Sequence, residues 1–181
     1  MMKKIILFFM ILTPFFFSAC EDVEDITGKV DLTINGENFS FPMATFVKSG
    51  DYTTITSTDD GSKSISIIFK GKTTGNYTLG LGNNLIDVLD TIAHMDPLTD
   101  IYKIYDKDVV IYYPTGDSDE AFVSLFGTLT ISEYTSDKIT GTFSGKGLTK
   151  DKITSGIDTA IILSNYKDFS GTFSAKSYGL K

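Results

Sequence analysis

The chain has one cysteine, one histidine, four prolines, no tryptophan and, among its 16 basic residues, no arginine. A single thiol excludes an internal disulfide, so the protein must hold itself together by burying a core, which 181 residues are enough to do. Without arginine there is no planar fork to grip phosphate or carboxylate at two points. The 23 acidic residues outnumber the lysines and set the formal charge at −7, which repels nucleic acid and anionic headgroups. Nucleic acid is therefore not an expected partner. One histidine and one cysteine are too few for a zinc site. No Gly-x-Ser-x-Gly elbow supports a serine nucleophile. Asp117, Asp119 and Glu120 gather oxygen donors in one loop but lack the spacing of a calcium-binding loop. We expect no catalytic residue, no metal and no cofactor.

Long hydrophobic runs are also scarce, with one exception. Lys3 and Lys4 precede an apolar run from Ile5 to Phe17, and Ser18 and Ala19 lead to Cys20. The run is roughly 13 residues, against the ~20 that cross a bilayer as a helix. Its charged start and small-residue end are those of a cleaved signal peptide. The Phe17-Ser18-Ala19-Cys20 segment resembles a bacterial lipoprotein lipobox, with Phe17 where Leu is usual. That resemblance implies removal of residues 1–19 and acylation of Cys20, which is the membrane contact we expect. Removal takes away two lysines and no acid, moving the formal charge from −7 to −9. Residues 20–27, with Glu21, Asp22, Glu24 and Asp25, form an acidic tether, and residues 28–181 form a single domain.

With 14 Phe and 9 Tyr, and with frequent Thr, Ser, Gly and Ile, the domain favours strands. Val30, Leu32 and Ile34 alternate with polar residues up to Asn35-Gly36, the dipeptide of a type I′ hairpin turn. A two-residue loop sets Ile34 opposite Glu37, Leu32 opposite Phe39 and Val30 opposite Phe41. A second hairpin joins 43–48 to 52–57 through Ser49-Gly50. Asp59-Asp60-Gly61 turns the chain into Ser64–Lys70, where Ile65, Ile67 and Phe69 alternate. Asn76–Leu79 adds another strand. Leu85, Val88, Leu89 and Ile92 fall on one helical face between Asn84 and Met95. His94 lies near that helix's C-terminus, where an imidazole meets the helix dipole.

Strand patterns return at Ile101–Tyr105, Val109–Tyr113, Phe122–Ser132 and Asp158–Leu163. Gly141-Thr-Phe-Ser recurs as Gly171-Thr-Phe-Ser, marking two strands in equivalent packing with glycine where another backbone comes close. The fold class is all-β: an antiparallel sandwich or closed barrel of about nine or ten strands with one short helix. Tyr102, Tyr105, Tyr112 and Tyr113 are the densest aromatic group outside the Phe-rich strands and form the candidate binding surface. Alternation puts Tyr112 and Tyr113 on opposite faces.

The Gly-Thr-Leu-Thr-Ile strand at 127–131, Ile139-Thr-Gly-Thr-Phe-Ser and Phe169-Ser-Gly-Thr-Phe-Ser, together with the early Asn-Gly hairpin, resemble uncharacterised envelope lipoproteins of Bacteroidota. The acidic tether is similar to the signal that sends such lipoproteins to the outer face of the outer membrane. What the resemblance implies is an all-β envelope lipoprotein at the outer membrane, exposed at the surface, with no catalytic residue to carry over. The expected function is non-enzymatic, binding or structural. A glycan, a small hydrophobic ligand and an envelope protein all stay open as partners. The alternative is a carboxylate-dependent hydrolase of envelope polysaccharide.

Overall fold

Two residues decide the first hairpin. Asn35 and Gly36 take φ of 49° and 86°, as both centres of a type I′ turn must. They join β1 (Lys29–Ile34) to β2 (Glu37–Pro42). Ile34 then faces Glu37, Leu32 faces Phe39 and Val30 faces Phe41, the register that turn chemistry and periodicity predict. The computed structural model describes residues 28–59, 63–82, 86, 108–114, 120–154 and 159–178.

The chain continues through β3 (Thr45–Ser49), β4 (Tyr52–Thr58), β5 (Ser64–Lys70), β6 (Gly75–Gly80) and β7 (Val109–Tyr113). Ser49 pairs with Tyr52, so the turn residues there are Gly50 and Asp51, one place later than expected. Two long strands follow, β8 (Phe122–Tyr134) and β9 (Lys138–Thr149), then α1 (Lys150–Thr154), α2 (Thr159–Asn165) and β10 (Lys167–Ser177). Neighbours run β10-β3-β4-β5-β7-β8, and β9 pairs with both β8 and β10. Those seven strands close on themselves, so of the two expected architectures the fold is the barrel. The remaining strands branch outward. The β1–β2 hairpin lies along β10 at 169–174, leaving only Lys176 and Ser177 to pair with β3, in parallel. Likewise β6 takes the edge of β8 beyond the short contact with β7.

The recurring Gly-Thr-Phe-Ser motifs turn out to be partners. Thr142 pairs with Thr172, Gly141 with Phe173 and Phe143 with Gly171. Each ring folds over the glycine across from it. A β-carbon on Gly141 would stand 2.7 Å from a Phe173 ring carbon, and one on Gly171 closer still to a Phe143 ring carbon. Neighbouring carbonyls also approach both glycines closely, as the sequence implied.

Alternation along the strands fills the barrel with Leu32, Phe41, Ile55, Ile67, Phe69, Leu129 and Phe143, among others. Strand β7 is buried on both faces: Val110 and Tyr112 belong to this inner core, whereas Val109 and Ile111 join an outer cluster with Val123, Leu125, Ile153 and Ile162. The helices α1 and α2 supply Ile153 and Ile162 to that outer cluster. Here the expected strand at 158–163 is corrected to a helix, Thr159–Asn165. Tyr166 N donates to Ile162 O, and Ser164 Oγ to Ala160 O. A contiguous apolar run carries no period of its own, and the outer face of the barrel needs a cover that a helix supplies. Apart from Ile86, which is helical and exposed, the expected helix at 84–95 and the expected strand at 101–105 lie outside the described residues. No described helix is long and apolar enough to cross a membrane.

Candidate functional site

The two ends of the barrel differ. At the end where β1 begins, Thr53 is fully buried. Its hydroxyl donates to Gly71 O at 2.7 Å and accepts from the Tyr134 hydroxyl at 2.8 Å. Lys48 Nζ lies 4.7 Å from the Tyr134 ring centre. That end is filled. At the other end, where β1 finishes, a pocket of about 390 Å³ opens.

Each wall of the pocket comes from a strand end. The β1–β2 turn presents Ile34, Asn35 and Glu37, and the alternation of β2 directs Phe39 inward beside them. Tyr112 and Pro114 come from the end of β7, Glu120 and Phe122 from the start of β8, and Thr149 and Lys167 from the facing ends of β9 and β10. Lys63 is set in place by two bonds to Asp59: Asp59 N donates to Lys63 O at 3.1 Å and Lys63 N to Asp59 Oδ1 at 3.0 Å. Asp60 and Gly61 of the expected turn lie outside the described residues, and the Asp59–Lys63 bonds position one pocket residue.

The floor is aromatic. The rings of Phe39 and Tyr112 are 4.9 Å apart and tilted by 41°, and Phe41 meets Tyr112 edge-on at 5.9 Å. Phe122 packs edge-on against Phe169 at 5.7 Å. Lys63 Nζ sits 5.4 Å from the centre of Phe39, a cation held over a ring face. Glu37, Glu120, Lys63 and Lys167 give the lining both signs of charge. Burial, and then the carboxylates of Glu37 and Asp59, push the Tyr112 phenol above its usual 10.0, so it stays a neutral hydrogen-bond donor at any physiological pH.

Of the four candidate tyrosines, Tyr102 and Tyr105 lie outside the described residues. Tyr112 is 4% exposed and points into the barrel. Tyr113 is half-buried on the outer face, packed against the cluster beneath the helices. The alternation of Tyr112 and Tyr113 is as expected, and it sends the two apart rather than onto one surface. Cys20, His94, Asp117 and Asp119 also lie outside the described residues. Among the described residues no three His, Cys, Asp or Glu side chains gather closely enough to hold a metal. Sequence reasoning placed Glu37 and Phe39 in the first hairpin without placing them at a site. The signal was a Phe at an inward position next to the turn, where a barrel is open.

Outside the barrel, β1, β10, β9 and β8 present aligned hydroxyls. Thr33, Ser170, Ser144 and Thr128 lie directly across from one another, and Asp31, Thr172, Thr142 and Thr130 form the next row. Two more open hollows of about 440 and 410 Å³ lie on this face. Lys146 there pairs with Asp168 and sits 4.5 Å from the Tyr166 ring centre.

Comparison with protein-family models, with curated proteins and with solved structures finds no match to this chain.

Proposed function

We propose that this chain is a lipid-anchored lipoprotein of the cell envelope, held by acylated Cys20 at the outer membrane and facing outward, and that its barrel binds a small, largely apolar molecule without transforming it. The observation that carries the binding role is the aromatic-floored pocket of about 390 Å³ at one end of a filled barrel. Concave, mostly apolar clefts of about 300–1,000 Å³ with a few placed polar groups are the usual form of small-molecule sites. Anchoring is compatible with this use. The chain enters the barrel at Lys29, the end of β1 remote from Ile34 and the pocket. An anchor at Cys20 therefore leaves the pocket end unobstructed.

The test uses the full chain carrying Cys20→Ala, which keeps every barrel residue, titrated with cumene and followed by amide chemical shifts. Saturable shifts centred on Phe39, Tyr112 and Phe122 support the assignment. Shifts that are absent, or spread evenly over the surface, refute it.

A second role, carboxylate-dependent hydrolysis of an envelope polysaccharide, draws on one observation: Glu37 and Glu120 line the same pocket. Two carboxylates flanking a glycosidic bond are the minimum such chemistry needs. Release of reducing ends from soluble envelope polysaccharide, abolished by Glu37→Gln or Glu120→Gln, would establish it. No release by the wild-type protein removes it.

A further inference from the structure

Among the described residues, the buried side-chain hydroxyls are matched to partners with one exception. The Thr53 hydroxyl bonds Gly71 and Tyr134. Ser57 Oγ donates to Pro42 O at 2.6 Å, and Ser124 Oγ accepts from Val110 N at 2.9 Å. Tyr77, half-buried, donates to Thr73 O at 2.8 Å. Tyr112 is 4% exposed and lines the pocket. Its interactions are ring contacts with Phe39 and Phe41 and the fields of Glu37 and Asp59. No hydrogen-bond partner meets its hydroxyl among the described residues. A phenylalanine would give the same stacking, and a buried hydroxyl without a partner is a net cost.

Resting on the pocket's assignment as a ligand site, we propose that the molecule bound there carries an uncharged hydrogen-bond acceptor, a carbonyl or ether oxygen attached to an apolar body, and that Tyr112 donates to it. The apolar body lies against Phe39 and Phe122. The acceptor is uncharged because Glu37 and Asp59 both act on the phenol with negative charge, and a carboxylate brought to the same hydroxyl would be repelled by them. Glu37 lines the pocket with Tyr112, as do Lys63 and Lys167, and benzoate is the probe that weighs the two signs. Tyr112 is thus the residue that tells an oxygenated ligand from a hydrocarbon of the same shape.

Three probes of nearly equal size separate the outcomes: cumene, a hydrocarbon; acetophenone, in which a ketone replaces a branched carbon; and benzoate, an anion. Each is titrated into the Cys20→Ala chain with Tyr112 intact and with Tyr112→Phe. The expected result is that Tyr112→Phe weakens acetophenone about tenfold, the worth of one buried hydrogen bond with an orphaned partner. Cumene binds both forms alike, and benzoate binds more weakly than acetophenone. The unliganded Tyr112→Phe protein melts no lower than its parent, because no hydrogen bond is lost. Equal losses for cumene and acetophenone, or no loss for either, overturn the role of Tyr112 and leave the pocket standing. Benzoate as the probe most sensitive to Tyr112→Phe overturns the uncharged acceptor. A lower melting point for unliganded Tyr112→Phe shows a partner within the protein and overturns the inference. If no probe saturates the parent protein, the pocket itself is not a ligand site and both proposals fall.

Discussion

Replacing Gly171 by alanine sets two effects of opposite sign against each other. Gly171 has ordinary strand backbone, not the positive φ that only glycine tolerates well. On backbone entropy alone, alanine at such a position stabilises by about 0.4–1 kcal/mol, because the unfolded chain has less freedom to lose. Space argues the other way. The new methyl would collide with a Phe143 ring carbon and, equally closely, with the Asp31 carbonyl oxygen, and Phe143 is 2% exposed with core on its other side. The ring cannot swing clear without disturbing Phe169 and Phe173, whose centres lie 6.1 and 6.4 Å away. Overfilling a packed core in this way costs about 1–3 kcal/mol. The steric effect wins, and Gly171→Ala should lose about 1–2 kcal/mol net.

For a domain of this size that is a fall of about 2–8 °C in melting temperature, readable by circular dichroism on the Cys20→Ala chain. The cause can be isolated by adding Phe143→Leu. If the ring collision is responsible, the two substitutions together destabilise less than the sum of each alone, by about 0.5 kcal/mol or more. An unchanged or raised melting temperature for Gly171→Ala, or strict additivity with Phe143→Leu, would refute the account of paired Phe-over-Gly packing.

The Tyr112 phenol should titrate above 10.0 in the folded protein, by ultraviolet difference spectra, and Glu37→Gln should bring it part of the way back. Since its folded pKa is raised above the unfolded value, its contribution is fully present below about pH 10 and lost as pH climbs through the folded value. Tyr112→Phe should therefore flatten the alkaline limb of the stability profile, and an identical limb in both proteins would contradict the burial. Ser124→Ala strands the Val110 amide, so it should cost about 1–3 kcal/mol in denaturant unfolding, and a neutral result would mean the amide finds another partner at the β8 bulge. Cys20→Ala should move the protein from the membrane to the soluble fraction, whereas unchanged fractionation would contradict acylation.

How far the sequence led depends on whether two independent signals met. In the first hairpin they did: a turn that demands positive φ at Asn35 and Gly36, and apolar alternation on either side, admit one register only. In Ser64–Lys70 the alternation alone sufficed, since one face is buried and the other is not. At β7 the same rule lost its power. Val109 to Tyr112 are buried on both faces, so alternation separates Tyr112 from Tyr113 without saying which is inside. The α2 run failed for a related reason, because Ala160 to Leu163 is apolar throughout and its form is set by the barrel surface it covers. Closure was least legible of all: it depends on a two-residue parallel contact between β10 and β3, which leaves no pattern in either segment.

The same logic explains why the pocket was invisible in the chain. Its lining runs from Ile34 to Lys167 and takes a residue or two from each of several strand ends, so no local motif marks it. It exists because a closed barrel has two mouths and different side chains fill them. One mouth is occupied by a long-range polar contact, Thr53 with Tyr134 and Gly71. At the other, Phe39 and Tyr112 pack against each other and Phe122 lines the same pocket, leaving an aromatic floor and a hydroxyl with no hydrogen-bond partner among the described residues. Had Tyr112 been the residue to cross the opening and bond a backbone carbonyl, as Thr53 does at the far end, the barrel would be filled throughout and would have nothing to offer but its surface. On the function proposed, the difference between a scaffold and a receptor comes down to which of two buried hydroxyls the fold has already satisfied.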